Sequence, residues 1–140
     1  MKLNKCQVLK DIDDMDAEIE MHHGPVFTLY DYCSIILHYF LAKKYKITTM
    51  RIADMVLEEH QKNHVQIVML SSTIHQEVHD KNIFINMNQA YGDLYTFLLK
   101  YGPTMPDDLK EKLNRYIDRS LLYDSSDFGI LELNKALYTR

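Results

Sequence analysis

The sequence predicts an α+β protein that is mostly helical. Three observations carry this: two short segments with strand character, AEIEMHH and HVQIVML; several long segments whose apolar residues recur at spacings of three and four; and a composition of 46% hydrophobic and 26% charged residues, typical of a globular chain. At 140 residues the chain is read as a single domain over 1-140.

Residues 1–16 end in the acidic cluster Asp11, Asp13, Asp14 and Asp16 and read as a short helix or turn. Residues 17–23 alternate apolar Ala17, Ile19 and Met21 with polar Glu18, Glu20 and His22, the period of a half-buried strand that Gly24-Pro25 stops. From Thr28, a natural N-cap, to about Tyr45, the residues Leu29, Tyr32, Cys33, Ile36, Leu37, Phe40 and Leu41 trace one helix face. A second helix follows Thr48 or Thr49, with Ile52, Met55, Val56 and either Glu59 or His60 along one side, and ends near Asn63. HVQIVML is the second strand, and Ser71 or Ser72 caps a short helix carrying Ile74, His75, Val78 and His79. KNIFIN is a short apolar segment. Met87 to Tyr101 reads as one helix closed by Gly102-Pro103. Pro106-Asp107-Asp108 opens another, running to about Leu122, with acids suited to the positive end of its dipole. The tail reads as a loop and a last short helix.

A formal charge of −4 excludes an overall basic field that would hold nucleic acid by electrostatics alone. No apolar run reaches the roughly 18–20 residues of a membrane-spanning helix, so no membrane partner is expected. Cys6 and Cys33 make neither a disulfide framework nor a zinc framework, and a reducing cytoplasm is the expected compartment.

Seven histidines stand out. His38, on the apolar face of the first long helix, reads as an ordinary packed or hydrogen-bonded residue, and His60 and His64 read likewise. His75 and His79 differ, because a separation of four places both imidazoles on one helix face about 5–6 Å apart, close enough to share a divalent ion. Neighbouring strand residues point to opposite faces, so His22 and His23 cannot both serve that ion. One can complete a three-histidine site with open coordination positions, and the other can act as a neutral imidazole base.

EMHHGP followed by HVQIVMLSSTIHQEVH resembles the HNH endonuclease family, the His-Me finger nucleases with a ββα-metal motif, and especially its small phage-encoded members. The resemblance places a ββα core at 17-80, with a two-helix insertion at about 28-62 between its strands, and a helical extension at 81-140. It implies His22, His75 and His79 as ligands of one divalent metal ion (Mg, Mn, Ni or Zn) and His23 as the general base of phosphodiester hydrolysis. For the asparagine that orients the base in many members, the candidates are Gln66 and Asn63, unless the role is vacant. Gln66 stands nine residues before His75, and Asn63 is the nearest asparagine. Lys43, Lys44 and Lys46 form a compact basic cluster for substrate contact, and the helix start at Ser71 and Ser72 would favour a phosphate. Lys110, Lys112, Arg115 and Arg119 recur along the last long helix. The implied partners are DNA, another phage or replication protein, and a second copy in a homodimer, in the host cytoplasm. The alternative is an HNH-like metal-binding adaptor in a phage replication, transcription or virion complex, without nuclease activity.

Overall fold

A computed structural model describes residues 19–80 and 84–123; the N-terminal turn, the first strand residues, part of KNIFIN and the C-terminal helix expected from the sequence lie outside these. The fold is α+β, with a two-stranded antiparallel sheet and five α-helices. In chain order these are β1 (Ile19–His23), α1 (Leu29–Lys43), α2 (Thr49–Gln61), β2 (Ile67–Ser71), α3 (Ser72–His79), α4 (Leu94–Tyr101) and α5 (Asp107–Tyr123).

The α1 start is set by reciprocal capping. Thr28 Oγ1 accepts from the Asp31 amide at 3.1 Å, and the Asp31 carboxylate accepts from the Thr28 amide at 3.0 Å. Tyr32, Ile35, Ile36 and Phe40 bury the inner face, while Leu29 and Leu41 stay exposed. His38 Nδ1–H donates to the Ser34 carbonyl, the local role expected of it. On α2, capped by Thr48, it is Glu59 and not His60 that turns inward: it is 2% exposed and accepts from Tyr101 Oη and His64 Nδ1. Those donors satisfy a carboxylate that burial would otherwise penalise heavily.

β1 and β2 pair with Glu20 opposite Leu70 and His22 opposite Val68. Tyr32, fully buried, joins sheet to helix by accepting the Gln66 amide at 3.0 Å. The larger core gathers Phe27, Tyr32, Phe40, Phe97, Tyr101 and Leu113, among others, between α1, α4 and α5. A smaller one, Val68, Leu70, Ile74 and Ile85, lies under the sheet and α3.

Two expectations are corrected. Met21, assigned to the inner face of the first strand, is 45% exposed, and it is Glu20 and His22 that turn toward α3, as their contacts with His75 show. The single helix from Met87 to Tyr101 is instead a short 3-10 turn, Met87–Gln89, followed by a break before α4. Asn86 and Gln89 cap that turn reciprocally. Tyr91 then exchanges two 2.8 Å backbone hydrogen bonds with Ile67 at the sheet edge. Gly92 follows at φ +116, so close to β2 that a Cβ would sit 2.4 Å from the Val65 carbonyl oxygen. No L side chain fits there, and the helix restarts only at the Asp93 cap.

Candidate metal centre

β1 and α3 bring three histidines together. The ligand-capable nitrogens of His22, His75 and His79 all lie within 4.8 Å of one another. His22 comes from the strand; His75 and His79 come from successive turns of the helix that Ser71 caps through the Ile74 amide. His22 Nδ1 lies 3.0 Å from His75 Nε2. Two nitrogens bound tetrahedrally to one ion would be about 3.3 Å apart, given zinc–nitrogen bonds of about 2.0–2.1 Å. The pair is therefore already close to chelating separation, and exposed His79 stands beside it.

Two surroundings fix the donor atoms. The Glu20 carboxylate accepts from His75 Nδ1–H, leaving the Nε2 lone pair directed at the cluster. Gly24 lies against the other side of His22: a Cβ there would stand 2.9 Å from His22 Nε2, so Nδ1 is the nitrogen presented to its partners. Burial, then the charges of His75 and His79, pushes His22 down to about 4, so its imidazole is neutral and able to ligate near neutrality. The His75 contact, then the Ser72 hydroxyl, holds Glu20 below the ordinary carboxylate range. Glu20 escaped the sequence reading, although its separation of two from His22 on a strand is the signal that could have found it.

The other predicted site residues part company with this cluster. His23 turns to α2, its ring 5.5 Å from that of His60, and Nε2 is buried without a hydrogen-bond partner. Burial, then the charge of His60, lowers its pKa. Gln66 is buried and its Oε1 is also without a partner, so no hydrogen bond orients His23 from there. Asn63 takes a left-handed turn conformation at φ 63 after α2, with its amide bonded to the His60 carbonyl and its own carbonyl accepting from Asp93. Ser71 is spent on the α3 cap.

Lys43, Lys44 and Lys46 are at the far end of α1 from the histidines. Lys43 lies over the Tyr39 ring, Lys44 closes the helix in a left-handed conformation, and the Lys46 carbonyl accepts from Arg51. Thr28, at the opposite end of the helix, is the residue that reaches the histidine cleft. Fifteen residues separate the ends, roughly 20 Å at 1.5 Å per residue. That cleft, about 440 Å³, lies between the end of β1 with the segment after it, α3 and α5; its basic residues are Lys112 and Arg119.

The scaffold is a small α+β fold that gathers three imidazoles, and comparison defines the class as a bacteriophage virion protein. More particularly, the chain belongs to the bacteriophage G278-like virion protein family, whose model matches residues 1–136. No curated protein and no solved structure matches the chain. The family assignment overturns the resemblance to HNH endonucleases, and with it the expectation of a phosphodiester hydrolase. The ββα arrangement and its histidines are present, but they belong to a virion protein. Among the described residues no helix is long and apolar enough to cross a membrane.

Proposed function

We propose that the chain is a non-enzymatic component of the phage particle, an adaptor that associates with other particle proteins and holds one divalent ion through His22, His75 and His79. The observation that carries the metal is the cluster itself: three ligand nitrogens within 4.8 Å, contributed by two elements. An all-imidazole donor set favours zinc or nickel over magnesium, which takes oxygen ligands. The ion would pin β1 to α3, joining residues 53 apart in sequence, as a cross-link beside the two strands of the described residues. The host cytoplasm is where the chain would fold and load the ion, and the assembled particle is where it would serve. Contact with DNA and self-association form no part of this reading.

The test is metal content by mass spectrometry after gel filtration, together with thermal unfolding in zinc, nickel, manganese or magnesium against a chelator. The native chain should carry about one ion, as expected of a single set of three imidazoles, and His75→Ala should carry none. At a hundredfold excess over Kd the ion should add about 2.7 kcal/mol of stability. Absence of bound metal, together with identical melting in zinc, nickel and chelator, would refute the site.

A further inference from the structure

We infer that the open side of the trihistidine site takes a carboxylate side chain from an acidic segment of another particle protein, with Arg119 as its second anchor. This deepens the metal-site reading and rests on it. Three imidazoles leave at least one coordination position unfilled. The direction of that position follows from the wall of the site: His22 and His79 line the cleft, whereas His75 does not and is held from behind by Glu20. A ligand arriving at the ion therefore comes through the cleft.

The cleft has the charge pattern for a carboxylate. None of its lining residues is acidic, although the chain as a whole carries −4. Lys112 is already committed, its ammonium 2.5 Å from the Asp31 carboxylate. Arg119 is different: its guanidinium lies 4.1 Å from the centroid of the Phe84 ring, and among the described residues no acid pairs with it. Stacked in this way, the planar group keeps its edge donors available to a carboxylate.

Much of the remaining surface of the cleft is apolar, contributed by Val26, Phe27, Val78 and Ile85, with His23, Thr28 and Tyr116 as neutral polar groups beside them. Alternating acidic and aliphatic side chains match that mixture. A nucleic-acid strand does not, because one uncommitted arginine and one ion cannot neutralise a run of phosphates, and the apolar floor gives a backbone nothing to bond.

The experiment uses the zinc-loaded full chain and two fluorescein-labelled short peptides, one alternating aspartate with leucine and one alternating asparagine with leucine, with short oligodeoxythymidine as the phosphate probe. Fluorescence anisotropy should show the aspartate peptide binding at least about tenfold more tightly than its asparagine counterpart, the scale expected for losing a charge-assisted contact. Chelation of the zinc, or Arg119→Gln, should each remove about that much, with Arg119→Gln retaining its full metal content by mass spectrometry. Equal binding of the two peptides by metal-loaded protein overturns the carboxylate inference and leaves the metal site standing. Tighter binding of the oligonucleotide than of either peptide also overturns it. A chain that holds no zinc overturns both.

Discussion

Tyr32→Phe removes one oxygen from the centre of the molecule and leaves the aromatic packing in place. The ring keeps its edge-to-face contacts with Phe27 and Phe97, at centroid distances of 5.6 and 5.2 Å. What is lost is the acceptor for the Gln66 amide, 3.0 Å away, at a residue itself 4% exposed. An orphaned buried donor costs about 1–3 kcal/mol, and relief from burying the hydroxyl offsets part of this, so the expected loss is about 1–2 kcal/mol. For a chain of 140 residues that is roughly 3–7 °C in Tm. Urea unfolding followed by circular dichroism, in chelator, measures it with an unchanged m-value. Tyr116→Phe is the internal control. Its hydroxyl donates to the Ile85 carbonyl at 2.6 Å, but Tyr116 is only half-buried, so water can take the place of the lost donor and it should lose less than about 1 kcal/mol. A second readout comes from alkali. Burial raises the Tyr32 phenol far above its ordinary value. Above about pH 10 the unfolded chain gives up a proton that the native chain keeps, so stability falls as pH rises. Tyr32→Phe should flatten that fall by about 1.4 kcal/mol per pH unit. A Tyr32→Phe loss below that of Tyr116→Phe would refute the role given to this hydrogen bond, and an unaltered alkaline slope would refute the burial of the phenol.

Glu20→Gln removes the charge behind His75 and should weaken zinc binding about 10–100-fold with little change in chelator-state melting, as isothermal titration calorimetry and thermal unfolding would show. Gly24→Ala places a methyl 2.9 Å from His22 Nε2, tilting the ring out of the cluster. Zinc affinity measured by competition with a chromogenic chelator should fall at least about tenfold. Gly92→Ala must clear the Val65 carbonyl from a φ of +116 and should cost more than about 1 kcal/mol in urea unfolding, whereas zinc affinity of the folded fraction stays unchanged.

Much of the fold was legible because local signals and burial agree. The Thr28 and Thr48 caps, the spacing of Tyr32, Ile36 and Phe40, and the β-branched run at Ile67–Val68 all point the same way in sequence and in space. The spacings of helix and strand separate His22 from His23 and join His75 to His79, but they leave open which of the strand pair turns to α3, a choice that only the resemblance supplied. What escaped depends on long-range contacts. The break before α4 arises because Tyr91 pairs with Ile67 and Gly92 touches Val65, partners more than twenty residues away. Glu20 reads as one acid among many until α3 is laid across it. Function was misread for a different reason. A ββα arrangement of imidazoles is a way of holding an ion, and nothing in the spacing says whether the ion then serves chemistry or assembly.

The separation of the two strands has a consequence for how the molecule comes to exist. β1 and β2 are neighbours in the sheet, yet α1 and α2 lie between them, and the contacts that build the cluster join residues 53 and 55 apart. The helices can form within about a microsecond from local contacts, but the strand pairing must wait for a long loop to close, so the sheet is expected to be the late event. On the ribosome, no ion can be captured at the full site until His79 has emerged and the intervening helices have packed. If the proposed ion is bound, its capture would report that β1 and α3 have met across the helices between them, a checkpoint for the sheet end of a chain destined for a larger particle.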